Sequence, residues 1–470
     1  MTTNIQSSDN NTKIEIKINP KKPSSNSKIL ILVVAVLTNL LAGGFVFGFS
    51  SLLVILRRSN VGISLCNNTY DRSLANTTIT TCTNQELSFA RIFLAGNIAA
   101  IGATLPIGIL MDSYGPKATA VFSFLCMITG SIIFASTESY ALAFGFMGFA
   151  APGCIMSTFH TTNLFPLHRG LVMAIVNSAY DSSSVVLLVF LGIYTASSES
   201  VQLPTLFFGY AILLVPLLLL YVVVMPRRIV EDEGVHEEEN GKGDTDDING
   251  IGIELKEKNG IDMKEKDGTN SNDDKDQIHV SVSQEVFSIK WLFFTMFFST
   301  NLLRFSYYLA QVGPSLIQIT SKANSLLGIF GSILPCGFII SPGVGWILDN
   351  SKQSTTILIV LVVGVVHSIF MLIPTPVEVQ IGTFVLFTVF RSIFFSIATT
   401  FAIRNFPPKL VGRVFGLTTT VGAIFSITQY PLVAQGLELN SFIGPNVVVL
   451  LVSSFCSLPL FLWLRKQEKQ

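Results

Sequence analysis

Twelve apolar runs of about 18–25 residues, bounded by charges or turn residues, leave this chain few folds to choose from. A run of that length crosses the hydrocarbon core of a bilayer as an α-helix, which satisfies its own backbone hydrogen bonds. The runs fall at 29–56, 87–111, 118–137, 141–163, 171–195, 204–225, 289–313, 324–348, 355–373, 378–403, 412–435 and 445–464. Half of the 470 residues are hydrophobic and only 13% are charged, which excludes a soluble globular chain. The first 28 residues are polar and the first apolar run is too long for a signal-peptide core, so no cleavable leader is expected.

The formal net charge is zero, which argues against a nucleic-acid partner. That zero conceals a segregation: residues 226–285 hold 18 of the 30 acidic residues against 8 basic ones. This stretch has few bulky apolar residues and cannot offset its ordering entropy, so 226–286 is expected to be a disordered acidic linker. The remaining layout is a tail at 1–28, a bundle at 29–225, a second bundle at 287–464 and a short tail at 465–470.

Basic residues set the orientation. Lys13, Lys17, Lys21, Lys22 and Lys28 precede the first run, and Arg465, Lys466 and Lys469 follow the last. Loops on that side carry Lys117, Arg169, Arg227, Arg228, Lys352, Arg404, Lys409 and Arg413, whereas the opposite loops are nearly bare of bases beyond Arg57, Arg58, Arg72 and Lys322. Both termini are therefore expected in the cytosol. The long external loop at 57–86 contains glycosylation sequons at Asn67 and Asn76 and the pair Cys66 and Cys82, a combination suited to an oxidising compartment. These features point to the plasma membrane, with an endolysosomal membrane as the alternative. A monomer is the expected unit.

Two internal repeats link the halves. Gly108-Ile-Leu-Met-Asp112-Ser-Tyr-Gly115-Pro-Lys117 follows the second run, and Gly345-Trp-Ile-Leu-Asp349-Asn-Ser-Lys352 follows the eighth. Asn163-Leu-Phe-Pro-Leu-His-Arg169-Gly and Asn405-Phe-Pro-Pro-Lys-Leu-Val-Gly-Arg413 occupy matching places between runs four and five and between runs ten and eleven. The expected fold class is thus all-α integral membrane, with twelve helices in two pseudo-symmetric six-helix bundles.

On these motifs the chain resembles the major facilitator superfamily, and more narrowly solute carrier family 43. Met111-Asp112-Ser-Tyr-Gly-Pro-Lys117 is similar to that family's signature, and Tyr180-Asp181-Ser182-Ser183-Ser184 is similar to its nucleobase-transporting branch. The resemblance implies facilitated transport of purine nucleobases or large neutral amino acids. It also implies that helices three, six, nine and twelve lie outside a path lined by the others. Gly108, Asp112, Gly115, Lys117, Arg169, Gly345, Asp349 and Arg413 are then gating candidates, with Asp112 meeting the start of helix eleven and Asp349 the start of helix five. Such contacts would latch an outward-open state.

Polar residues deep in apolar spans mark a solute path, because burying them there is costly. Asp181 lies mid-span in run five, Arg304 in run seven and Arg391 in run ten. Asp181 can pair with an arginine, hold a substrate N–H, or carry a proton. Asn301, Arg304, Tyr308 and Gln311 share one helical face by their spacing, a stripe suited to a flat hydrogen-bonding solute or to interhelical bonds. Arg391 suits a carboxylate, whether a solute's or that of Asp181. Asn39, Asn177, Tyr180 and Gln429 complete the candidates. No P-loop, metal-ligand cluster, catalytic Ser/His/Asp set or cofactor fingerprint is present, so neither an enzyme nor a cofactor is expected. The expected partners are a small-molecule solute and the lipid bilayer. Proton-coupled symport through Asp181 is one alternative, and a non-transporting receptor or scaffold using the acidic linker is another.

Overall fold

A computed structural model describes residues 25–66, 82–165, 169–198, 200–225, 288–373, 378–406 and 411–470. The acidic linker and the sequons at Asn67 and Asn76 lie outside these residues. Among the described residues every regular element is helical. The first half comprises α1 (Ser25–Thr38), α2 (Phe49–Arg58), α3 (Thr83–Gly102), α4 (Thr104–Ser136), α5 (Tyr140–Met156), α6 (Arg169–Ser182), α7 (Val185–Ala196) and α8 (Leu203–Val224). The second comprises α9 (Ile289–Ile319), α10 (Ala323–Ile333), α11 (Ser341–Asn350), α12 (Gln353–Met371), α13 (Glu378–Asn405), α14 (Val411–Ser426), α15 (Gln429–Glu438) and α16 (Ile443–Gln467).

Nine helical stretches among the described residues are long and apolar enough to cross a membrane, and a bent pair at Ala323–Ile339 and Pro342–Leu348 makes a tenth. The expected seventh and eleventh spans are helical, as α9 and as α14 with α15, but fall short on length or hydropathy. Both carry buried polar side chains, which is what lowers their hydropathy: Asn301, Arg304 and Gln311 on α9, Thr418, Thr419, Ser426 and Gln429 on α14 and α15.

Several spans are broken in mid-course. Between α1 and α2 the chain passes through a π-helical segment, Asn39–Gly43, and a 3-10 segment, Phe45–Gly48. Between α6 and α7 it turns at Ser183 and Ser184, and between α10 and α11 it follows the 3-10 segment Leu334–Ile339. Breaks of this kind free backbone groups that a regular helix would consume. Conversely, the expected loop between the second and third spans is helical, and α4 bends there at Gly115, whose φ of 81° a side chain would oppose.

Each half is packed around its own aromatic core. Phe45 lies among Phe144, Phe190, Phe207 and Tyr210 in the first half, and in the second Phe330 and Phe387 lie against Tyr308, with Phe384 packed on Phe330. Close helix approach in the first half depends on Gly148 of α5, where an added Cβ would stand 2.1 Å from the carbonyl oxygen of Gly96 on α3. Backbone cannot rotate away as a side chain can. Gly148→Ala is expected to lower stability by about 1–3 kcal/mol, whereas Gly209→Ala, where nothing lies within 4 Å, should not destabilise. Thermal melting of the two purified variants checks both.

Between the halves, α3 and α4 pack on α14, and α2 packs on α10. Glu468, near the carboxyl end, accepts hydrogen bonds from Ser354 N and Oγ at the start of α12.

Candidate functional site

Three of the broken helices meet at one place. The π segment after α1 packs on α6, and α6 packs on the 3-10 segment at Leu334–Ile339. The hydroxyl of Ser182 donates to the carbonyl of Pro335 at 3.2 Å, joining the first half to the second. Beside it, Arg391 of α13 donates through Nη2 to Asp181 Oδ1 at 2.8 Å and to the Asp181 carbonyl at 3.2 Å. That carbonyl lies in the last turn of α6, where no intrahelical donor follows, so the break supplies the second acceptor.

The pair is unequal in exposure. The Arg391 side chain is 2% exposed and that of Asp181 23%. The guanidinium lies 4.8 Å from the ring centre of Phe47, which also touches Tyr180 and Phe305. A cation over an aromatic face in a dry site is held by the ring quadrupole as well as by its counter-ion. Around the pair, hydrogen-bonding capacity remains unused. Arg391 Nε, Asn39 Oδ1, Ser183 Oγ and Ser184 Oγ are buried without a partner. Such groups in a polar site are ready to receive a solute or water.

Asn39 donates to Ala35 O and, at 2.8 Å, to Thr158 Oγ1, which places it in the first half. Tyr180 is half-buried against Phe47, Asn177 is exposed, and Gln429 is buried with both side-chain polar atoms unpartnered. The structure thus brings Asp181, Arg391 and Tyr180 together.

It does not bring the α9 stripe to them. Asn301 donates to Ser457 Oγ of α16 at 2.9 Å, Arg304 stands against Gly364 of α12, and the Tyr308 ring lies 4.7 Å from that of His367, also on α12. The stripe does share a face, but that face looks into the second half, away from the seam. The seam instead receives Phe305, against Phe47, and Ser306, which accepts from Asn97 of α3 at 2.8 Å. Spacing fixes which residues share a face and leaves open where the face points.

One further pair escaped sequence reasoning. Arg57, expected in an external loop, ends α2 and is buried, with Nε and Nη2 donating to the two Glu86 oxygens at 2.9 and 2.8 Å. Its Nη1 reaches Asn324 Oδ1 of the second half at 3.4 Å. Both residues sit at run ends, where charges are ordinary, so composition carried no signal. Nearby, Cys66 and Cys82 form a disulfide.

Residues 61–428 match the family model described as the Major Facilitator Superfamily. The chain belongs to that superfamily. It is 26% identical to Protein FMP42 of Saccharomyces cerevisiae over 91% of this chain and 93% of that protein. It is 22% identical to Equilibrative nucleobase transporter 1 of Bos taurus, covering 94% and 97%, and 24% identical to Aromatic and large neutral amino acid transporter 5-3 of Toxoplasma gondii, covering 82% and 74%. The crystal structure of the human organic anion transporter MFSD10 shares the fold, with a TM-score of 0.60 over 93% of this chain and 99% of that one, at 12% identity. The protein is accordingly a multi-pass membrane transporter and not an enzyme.

As in the superfamily's signature, Gly108 to Lys117 runs from one span into the next, and here it stays helical apart from Gly115. Lys117 donates to the carbonyl of Val222 at the end of α8. The side chains of Asp112, Arg169 and Asp349 lie outside the described residues, while α4 meets α14 and α11 meets α6, the helix pairs expected for the two latches. Gly108 and Gly345 face open space, and Arg413 is exposed. The halves also touch at the disulfide end, through α2 and α10, so contacts bridge the seam at both ends.

Proposed function

We propose that this major facilitator carries a small neutral organic solute down its gradient by alternating access, with a nucleobase ahead of a large neutral amino acid. The observation that carries the reading is the Asp181–Arg391 pair, which closes the seam between halves at mid-course. A solute with its own donor and acceptor edges can replace each partner's hydrogen bond, so loading the site and parting the halves become one event. A nucleobase offers such edges on a flat ring that suits Phe47 and Tyr180, and an amino acid offers a carboxylate for Arg391 and an ammonium for Asp181. The names of the nucleobase and amino acid relatives support both classes. With both termini cytosolic, as the distribution of basic residues argues, the disulfide end faces outward at the plasma membrane.

Uptake of radiolabelled adenine and leucine into a host lacking its own carriers tests the proposal. Saturable uptake of either, unchanged when a protonophore collapses the proton gradient, is expected. No flux of either solute overturns the substrate class. Uptake that collapses with the gradient, and loses that response in Asp181→Asn, establishes proton coupling instead.

A further inference from the structure

Inside the second half, away from the seam, lies a cation with no counter-ion among the described residues. Arg304 is 1% exposed, and its guanidinium makes one described hydrogen bond, from Nη1 to Asn301 Oδ1 at 3.2 Å. Nε and Nη2 have no partner. No carboxylate pairs with it among the described residues, in contrast to Arg57 and Arg391, which each hold one. A guanidinium stays protonated in proteins, and a buried charge left uncompensated is among the most costly arrangements a fold can keep.

The surroundings are those of a polar site. His367 is fully buried with neither ring nitrogen bonded, and Ser368 Oγ, Tyr308 Oη and Gln311 Oε1 are likewise unpartnered. Arg304 and His367 both lie against Phe390, the guanidinium 5.6 Å and the imidazole 6.1 Å from its ring centre. Gly364 makes the room, since a Cβ there would stand 1.8 Å from Arg304 Nη1.

A cavity ends one side chain away from the cluster. This cavity, of about 180 Å³ and lined by Tyr308, Gln311, Met371, Gln380, Thr383 and Asn446 among others, lies beneath the turn joining α15 to α16. Its inner wall, Tyr308, is one helical turn from Arg304 and packs on His367. The volume is large enough for several waters.

We propose that Arg304, with Asn301 and His367 beside it, binds a small monovalent anion inside the second half, behind the Tyr308 wall of this cavity and separate from the solute site at Asp181 and Arg391. The chemistry is that of a halide or of a compact carboxylate: one negative charge, received by the free Nε and Nη2 donors. The bound anion neutralises the guanidinium and thereby stabilises the packing of α9 on α12.

The test is thermal melting of the purified full-length protein at constant ionic strength in sodium gluconate, chloride or acetate. A saturable rise of about 2 °C or more over gluconate is expected for the native protein, and it should vanish in Arg304→Gln. A response to chloride alone assigns a halide, and one to acetate alone a carboxylate. Equal melting in all three salts, or an unchanged shift in Arg304→Gln, overturns the site and leaves a hydrated arginine. If Arg304→Gln does not fold, crystals of the native protein grown in bromide decide: an anomalous peak in contact with Arg304 supports the proposal, and its absence there refutes it.

Discussion

Arg391→Ala should abolish uptake and lower the stability of the folded protein by about 3–5 kcal/mol, the range seen when one partner of a buried ion pair is removed. Three contacts go with the guanidinium: the Asp181 carboxylate, the Asp181 carbonyl and the face of Phe47. The carbonyl matters as much as the charge, because it lies in the final turn of α6 and has no helical donor to fall back on. Arg391→Lys keeps the charge and is expected to retain partial activity. Exchanging the two residues, Asp181→Arg with Arg391→Asp, should recover stability ahead of transport, since the new pair rejoins the halves while presenting a solute with inverted charge. Initial uptake rates and melting curves on the same preparations distinguish these outcomes. Wild-type transport in Arg391→Ala would remove the pair from the mechanism.

Glu86→Ala should be comparably severe, about 3–5 kcal/mol, for a different reason. Arg57 would remain at 5% exposure with, among the described residues, only Asn324 of the opposite half as a partner, at 3.4 Å. A desolvated cation in that position draws in water and loosens the contact between α2 and α10. A cysteine placed at Ser51, which is buried beside Gly331 of α10, reports the change. Protection from a membrane-impermeant maleimide in the parent and rapid labelling in Glu86→Ala is the expected pattern. Equal protection in both would show that the pair does not hold that end closed. Glu86→Gln should cost less, because a neutral amide still accepts from Arg57, though with a weaker bond than a carboxylate.

Much of the fold was legible because a bilayer imposes length and hydropathy on every span. The repeats at Gly108 and Gly345 revealed the two halves, and mid-span Asp181 and Arg391 stood out because apolar surroundings make a charge conspicuous. What stayed hidden shares one cause. Arg57 and Glu86 pair at run ends, Phe305 rather than Arg304 faces the seam, and α1 breaks before α2; each depends on rotation about a helix axis or on a partner far along the chain. Periodicity records neither when a helix is apolar on most sides. The π segment at Asn39–Gly43 had no cue beyond its glycines, which membrane helices use freely.

That segment divides the labour of the first span. At its first residue, Asn39 is turned toward Thr158 of its own half; after it, Ser51 and Arg57 are turned toward Gly331 and Asn324 of the other. A π turn holds one residue more than an α turn, and one residue is worth about 100° of rotation at 3.6 residues per turn. The extra residue therefore acts as a phase shifter between an inward-looking stem and an outward-looking tip. A change of chain length by a single residue there would leave every side chain's chemistry intact and aim the tip at the wrong neighbour.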